Sequence, residues 1–263
     1  WQSVRVTKTL GFIGVGTVST AVVHALCSRP GPSQEIVLSP RSTERSQHLA
    51  DHYAQCTRVD SNQAVVDASD IVILSVLPQQ AESVLAELTF RPEQIFVSFI
   101  GGAPPSEWVN SVGPITQICT AIPLPAIELH RGPMLVCPPI PEVMDAFTGL
   151  GDVVPWHDES TLRVFSVTTA IMSTYYEAAN TVIDWSMSQG IDETTAATFV
   201  RSLLAGLAAV GQATEVSQRG QLPEEHETPG GLNARVRRGM TDAGAFGDLS
   251  RVLEDVYLNA VLR

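Results

Sequence analysis

A glycine-rich segment near the N-terminus constrains the fold of this chain more than any other feature. It has the form Gly14-x-Gly16-x-x-Ser19 and follows an apolar run at 9–14 that predicts a β-strand, while residues 18–27 predict a helix. Between a strand and a helix, the first glycine permits a tight turn and the second lets a phosphate approach the helix N–H groups. The segment predicts a dinucleotide site whose first contacts are Gly14, Gly16, Thr17 and Val18.

The first 155 residues alternate short apolar runs with helical stretches. Further strands are predicted at 35–38, 71–76, 94–99, 115–120 and 134–137, and a helix at 42–53. Continuous apolar runs are typical of parallel strands that are buried on both faces. The pattern predicts an α/β fold, a doubly wound parallel sheet of the Rossmann type, over residues 1–155.

The remaining residues, 156–263, have a different pattern. No proline or glycine occurs between 158 and 189, and helices are predicted at 158–189, 193–218, 233–240 and 249–262. The stretch 203–210 is too apolar to face water on all sides. We therefore expect an all-helical domain whose apolar surface is partly covered, with the domain boundary near Pro155.

Composition narrows the classes of function. A net charge of −12 argues against nucleic acid and against a polybasic contact with membranes. No unbroken apolar run approaches the ~20 residues of a membrane span. The four cysteines form no CxxC pair and show no metal-ligand spacing, so we expect reduced thiols, no metal site and a cytoplasmic protein.

The segment after the second predicted strand bears on the choice of cofactor. NAD enzymes usually place Asp or Glu about 20 residues beyond the glycine turn. Here the segment contains no carboxylate, and Ser39, Arg41 and Ser42 are predicted to bind a 2′-phosphate, with Arg41 supplying the charge. This favours NADPH over NADH, the alternative being that Arg41 is a solvated loop residue.

Two later strands end in segments that suit a ligand. In open α/β sheets, ligands bind beyond the carboxyl ends of the strands. The segment 75–78 (Ser-Val-Leu-Pro) and the segment 100–102 (Ile-Gly-Gly) both lie at such ends, although either one is also compatible with a plain turn. Further cofactor contacts are predicted at Ser75, Leu77, Pro78, Ile100 and Gly101.

A second glycine pair lies in the helical half, in the segment 228–233 (Thr-Pro-Gly-Gly-Leu-Asn). Thr228 suits a helix cap, Pro229 suits a first turn, and the two glycines leave backbone N–H groups unobstructed. The segment predicts a seat for a small anion at Thr228, Gly230, Gly231 and Asn233. The alternative is an ordinary capped helix start.

With these motifs, the chain resembles the pyrroline-5-carboxylate reductase family. The resemblance rests on the segments 75–78 and 100–102 and, most strongly, on Thr228-Pro229-Gly230-Gly231. It implies a Rossmann domain followed by a helical domain that interlocks with a second subunit. It also implies NADPH-dependent reduction of a C=N bond, with the substrate carboxylate held by the 228–233 segment.

The chain departs from the family pattern on the substrate side. Asn233 stands where the family has threonine, and His226 and Glu227 replace small or apolar residues before the glycine pair. The segments 121–125 and 169–174 also differ from the family's asparagine-containing and glycine-containing runs. We therefore expect pyrroline-5-carboxylate or, more naturally, a related cyclic imine as substrate.

Candidate catalytic residues are few. Asn233 is expected to orient the ring nitrogen or a carboxylate, while Tyr175, Tyr176 and His226 are candidate proton donors that also have ordinary structural interpretations. A rival function, 3-hydroxy-acid dehydrogenation, uses a lysine in the helical domain, and no lysine follows Lys8. A degenerate NADPH-binding protein is the other alternative, and retention of the glycine pair argues against it.

Overall fold

A computed structural model describes residues 8–259 of the chain. The contacts among these residues divide the chain into two compact units, the first ending at Ser166 and the second beginning at Val167. The sequence-predicted boundary at Pro155 falls at the end of the last strand, inside the first unit. Each unit is described separately below.

The first unit alternates strands with helices. In chain order its elements are β1 (Leu10–Ile13), α1 (Thr17–Ser28), β2 (Ile36–Leu38), α2 (Thr43–His52), β3 (Cys56–Arg58), α3 (Asn62–Ala68), β4 (Ile71–Leu74), α4 (Pro78–Leu85), β5 (Ile95–Ser98), β6 (Gln117–Pro123), β7 (Pro133–Cys137), α5 (Pro141–Phe147) and β8 (Asp152–Pro155).

The eight strands form one sheet in the order β3-β2-β1-β4-β5-β6-β7-β8. Neighbouring strands are parallel except β6 and β7, which pair antiparallel, with Ala121 opposite Val136. The predicted Rossmann fold is confirmed, but the prediction of a parallel direction for residues 134–137 is wrong. The chain returns from β6 to β7 through the short segment 124–132, which allows an antiparallel neighbour, whereas a parallel crossover needs a dozen or more residues.

Apolar side chains pack on both faces of the sheet. Phe12 belongs to one buried cluster and its neighbour Ile13 to the other, because successive strand residues point to opposite faces. Gly11 permits the close approach of α3, since a Cβ at this position would overlap the Ser69 hydroxyl and lie 2.7 Å from Val65 Cγ1. The sheet is therefore covered on both sides, as in other doubly wound folds.

The second unit is helical. Its elements are the end of α6 (Leu162–Thr169), then α7 (Ile171–Ser188), α8 (Glu193–Ala213), α9 (Leu222–Glu225), α10 (Leu232–Asp242) and α11 (Ala245–Asn259). The predicted single helix at 158–189 is divided at Ala170. The start of α8 is fixed by Asp192, whose carboxylate accepts a hydrogen bond from Thr195 N–H at 3.0 Å.

Helices α7 and α8 pack together through a small apolar cluster of Ile183, Ala196 and Val200. A second set of apolar side chains on α8 stays exposed. These side chains, here called the α8 stripe, are Phe199, Leu203, Leu207 and Val210. Among the described residues, α8 is the one helix long and apolar enough, by length and composition, to cross a membrane. Core helices of water-soluble proteins meet the same criterion.

Candidate active site

A cavity of about 520 Å³ lies where β1 and β4 end. Its walls come from the glycine turn, from the loop before α2 and from the segment after β4. Eight of the predicted cofactor residues line it together: Gly14, Gly16, Thr17, Val18, Arg41, Ser42, Ser75 and Leu77. A volume of this size suits a small organic ligand.

The folded chain requires glycine at position 14, independently of any ligand. Its φ of +94° lies in the region that favours glycine, and a Cβ would overlap the Ser75 carbonyl oxygen. The Ser19 hydroxyl donates to the Gly14 carbonyl at 2.9 Å and fixes the turn from the other side. The tight turn predicted from the sequence is therefore present, and it lies against Ser75, the residue that follows β4.

Gly16 differs from Gly14 in that nothing in the protein requires it. Its φ is −85°, and a Cβ there would meet no atom within 4 Å. Gly16 is also the N-cap of α1, and no side chain caps that helix start. The open space therefore lies beside uncapped backbone N–H groups, an arrangement that suits the phosphate of a ligand.

Ser39 has a role that the sequence did not reveal. Its side chain is fully buried, and its hydroxyl accepts a hydrogen bond from Gly14 N–H at 2.9 Å. The Ser39 N–H donates in turn to the Phe12 carbonyl at 3.0 Å. The predicted contact with a 2′-phosphate is therefore wrong for Ser39, because a buried hydroxyl supports the glycine turn and is not presented to the cavity.

Arg41 and Ser42 do face the cavity, on a loop of defined shape. Ser42 adopts φ 59° and ψ 52° at the start of α2, an uncommon conformation for a residue other than glycine and one that clusters at functional sites. Arg58 supports this loop by donating to the Pro40 carbonyl at 3.4 Å and to the Ser46 hydroxyl at 3.2 Å. Arg41 is exposed and free to meet a ligand anion.

Besides Ser39, three predicted cofactor residues are not among those that line this cavity. Pro78 is the exposed first residue of α4, Ile100 packs in the core, and Gly101 is exposed after β5. The cavity wall instead includes residues that the sequence analysis did not select, Val15, Val76, Gln80 and Phe99. Phe99 ends a predicted strand, so the rule about carboxyl ends of strands would have found it.

The glycine pair of the second unit also has a defined geometry. Gly230 has φ +72°, and the Gly231 N–H donates to the Thr228 carbonyl at 2.8 Å. A Cβ on Gly231 would overlap the Thr228 hydroxyl and lie 3.0 Å from the Thr228 carbonyl oxygen, so a larger residue there would require the Thr228 side chain to move. The N-cap of α10 is Gly231 and no side chain caps the helix, which makes the predicted cap role of Thr228 wrong. The uncapped N–H groups of α10 remain a suitable anion seat.

The residues beside this seat are joined by hydrogen bonds. Arg237 binds both carboxylate oxygens of Glu227, through Nε and, at 3.0 Å, through Nη2. Hydrogen bonding to Arg237 lowers the pKa of Glu227, and the same contact raises the pKa of Arg237. The negative charge of Glu227 is therefore offset, and it does not oppose an anion at the seat.

The candidate catalytic side chains are distributed over two places. The Asn233 Nδ2 amide donates to the His226 carbonyl at 2.6 Å, and His226 Nδ1 lies 2.8 Å from the Leu222 carbonyl. Asn233 and His226 are thus held together beside the seat. Tyr175 is half exposed on α7, where its ring meets Tyr176 edge to face.

Comparison with known proteins shows what this chain is similar to. A family model described as "NADP oxidoreductase coenzyme F420-dependent" matches residues 9–102, a range that contains every residue lining the cavity. The pyrroline-5-carboxylate reductase of Corynebacterium melassecola is 24% identical over 262 residues, covering 94% of this chain and 95% of that protein. The chain is therefore similar to pyrroline-5-carboxylate reductases over nearly its whole length.

Solved structures of pyrroline-5-carboxylate reductases share the fold. The enzyme from Coxiella burnetii has a TM-score of 0.83 at 17% identity, covering 97% of this chain and 98% of the other. The Plasmodium falciparum enzyme, solved with NADP bound, has a TM-score of 0.78 at 17% identity, covering 95% of each chain. These matches show a shared fold, while the family model and the curated relatives support an oxidoreductase that uses a nicotinamide cofactor.

Proposed function

We propose that this protein is a member of the pyrroline-5-carboxylate reductase family and an NADPH-dependent reductase of the C=N bond in a small cyclic imine, pyrroline-5-carboxylate or a related compound. The observation that carries the proposal is the cavity in which the glycine turn, the uncapped start of α1 and the Arg41–Ser42 loop converge. The retained glycine pair at the start of α10 supports an anionic substrate.

The residues of the cavity suit NADPH. The space beside Gly16 and the N–H groups at the start of α1 would hold the pyrophosphate, while Arg41 and Ser42 would hold the 2′-phosphate. The exposed apolar side chain of Leu77 offers a surface on which a ring can pack. When bound, the cofactor supplies a hydride to the carbon of the C=N bond.

The seat at α10 would hold the substrate carboxylate through backbone N–H groups next to Gly230 and Gly231. Asn233 would orient the ring, because its Nδ2 amide is already committed to the His226 carbonyl and its side-chain oxygen is the atom left to accept an N–H of the protonated imine. A protonated imine is already electrophilic, so positioning supplies most of the rate enhancement.

His226 is the candidate for moving a proton beside Asn233. Its Nδ1 donates to the Leu222 carbonyl when it carries the hydrogen, which leaves Nε2 as the nitrogen that gains or loses a proton. Tyr175 stays a second candidate. The proposal requires that the cofactor cavity and the α10 seat serve one reaction chamber, within one chain or between two copies, and a structure with NADPH and a carboxylate ligand tests that requirement.

The test of activity is direct. The protein is mixed with NADPH and a panel of cyclic imines, with and without a carboxylate, and loss of the reduced-nicotinamide absorbance is followed. Turnover of a carboxylate-bearing imine is the expected result. Oxidation of 3-hydroxy acids with NADP would contradict the proposal, and quenching of tryptophan fluorescence by NADPH without turnover of any imine would indicate a degenerate binding protein.

We also propose that the helical unit forms a homodimer in a cytoplasmic protein. The α8 stripe repeats at i, i+4, i+8 and i+11, so its side chains share one helix face and need a covering surface. A second copy is favoured over lipid because Arg201 lies in the middle of α8, where a bilayer would penalise its charge. Sedimentation of the purified chain should give a dimer, and flotation with vesicles should give no binding.

A further inference from the structure

Two cysteines outside the cavity lie in direct contact. Cys27 is in the last turn of α1 and Cys56 begins β3, the edge strand of the sheet. Their Sγ atoms are 3.7 Å apart and form a hydrogen bond. Cys27 is partly exposed, whereas Cys56 is buried. A solvent-accessible thiol is thus already in contact with a second thiol behind it.

The surroundings give the two thiols different roles. The hydrogen bond from Cys56 lowers the pKa of Cys27 against the opposing effect of burial, and the charge of Arg29 lowers it further. The same hydrogen bond, together with burial, raises the pKa of Cys56. Cys27 is therefore the thiol that ionises and meets an oxidant, while Cys56 keeps its proton and lies ready to react second.

We propose that Cys27 and Cys56 are a reversible redox pair that forms a disulfide between α1 and β3 when the protein meets a hydroperoxide. The Cys27 thiolate attacks the peroxide oxygen, forming an S–O bond and, with hydrogen peroxide and a proton, releasing water. The Cys56 sulfur then attacks the resulting sulfenic acid, loses its proton and expels a second water. Two thiols are oxidised by two electrons in all, and the peroxide is reduced to water.

The disulfide would enclose β2 and α2, together with the loop that carries Arg41 and Ser42. Cross-linking the ends of this segment restricts the unfolded chain and stabilises the first unit. Cys27 lies at the end of α1 opposite the glycine turn, so the cross-link leaves the nucleotide cavity open. We expect oxidation to raise the thermal midpoint on the order of 10 °C and to leave NADPH affinity unchanged.

The experiment uses the reduced full chain, which is treated with equimolar hydrogen peroxide, denatured, alkylated and digested. Cys27 and Cys56 should be recovered as one intramolecular disulfide that dithiothreitol reverses. The fully buried Cys119 and Cys137 should remain alkylatable and serve as internal controls. Cys56→Ser should accumulate a sulfenic acid on Cys27 that dimedone traps, and Cys27→Ser should leave Cys56 unmodified.

Two results would overturn the proposal. One is irreversible oxidation of Cys27 to the sulfinic acid while Cys56 of the same chain stays alkylatable. The other is a peroxide-induced disulfide that joins two chains or maps to Cys119 and Cys137. Because the serine variants retain every residue of the cavity and of the α10 seat, their imine reductase activity should equal that of the reduced wild type.

Discussion

The two units bury their apolar side chains to very different extents. In the sheet unit, strand residues such as Phe12 and Ile73 are 0% exposed, and the cluster on each face is closed by helices of the same unit. In the helical unit, Phe199 is 70% exposed and Trp185 is 65% exposed. The comparison teaches that the sheet unit supplies its own core, whereas the helical unit leaves large apolar side chains exposed.

The largest expected effect is the difference between alanine substitutions at two glycines of the same turn. Gly14→Ala should destabilise the chain by about 2–4 kcal/mol, because the new Cβ meets the Ser75 carbonyl at an unfavourable φ. Gly16→Ala should cost at most about 1 kcal/mol as a helix cap, yet weaken NADPH about 10-fold or more by filling the ligand space.

Chemical denaturation and nucleotide titration of the two glycine variants check this expectation. Each variant is the control for the other, since both add one methyl group to the same turn. Equal destabilisation by the two changes, or full NADPH affinity in Gly16→Ala, would show that Gly16 is structural and that the cavity beside it is not the phosphate site.

The next prediction concerns the α8 stripe. Phe199→Glu places a charge in the proposed interface and should weaken dimerisation at least about 100-fold. Ala205→Glu is the matched control, because residue 205 is exposed on another side of α8. Analytical ultracentrifugation over a range of concentrations measures both, and a Phe199→Glu protein that dimerises like wild type would remove the stripe from the interface.

A smaller effect is expected for cofactor choice. Arg41→Ala should raise the Kd for NADPH about 10- to 100-fold, the value of a lost hydrogen bond between charged groups, and leave the Kd for NADH unchanged. Arg45→Ala, on α2 but outside the cavity lining, is the control. Fluorescence titration with both nucleotides measures these Kd values. An equal loss of affinity for NADPH and NADH would mean that Arg41 does not bind the 2′-phosphate.

The smallest effect belongs to the ion pair beside the anion seat. Because the folded-state pKa of Glu227 is lowered from its ordinary 4.5, the pair stabilises the fold above that pH and stops doing so as the pH falls through the lowered value. The difference in thermal midpoint between wild type and Glu227→Gln should therefore shrink on acidification. A difference that is constant from neutral to strongly acidic pH would mean that the pair contributes nothing.

Sequence reasoning succeeded where local chemistry decides the structure. The turn at Gly14 follows from backbone sterics, and the buried strands follow from continuous apolar runs. Sequence reasoning failed where the structure of a segment depends on neighbouring elements of the fold. The edge strand β3 contains only three residues, of which Cys56 alone is buried, and it gave no apolar run to detect. The apolar pattern of β7 does not predict its direction, because a buried apolar run is compatible with either a parallel or an antiparallel strand.

Two side-chain roles were misjudged for a similar reason. Ser39 was expected to bind phosphate because it follows β2, but whether a hydroxyl points to ligand or to backbone depends on the position of Gly14 in a different element. Thr228 has the residue type of a helix cap, yet α10 starts later, after the two glycines. The break at Ala170 carries neither glycine nor proline, so no local signal marked it.

The hydrogen bond from Gly14 N–H to Ser39 has a practical consequence for altering coenzyme preference. A wholesale exchange of the segment 39–42 for one from an NADH enzyme would remove the acceptor on which the glycine turn relies. Such a graft would lose nucleotide affinity in general instead of changing its selectivity. A redesign should keep Ser39 and vary only residues 40–42, so that the selectivity between NADPH and NADH changes while the contacts of the glycine turn with the pyrophosphate are kept.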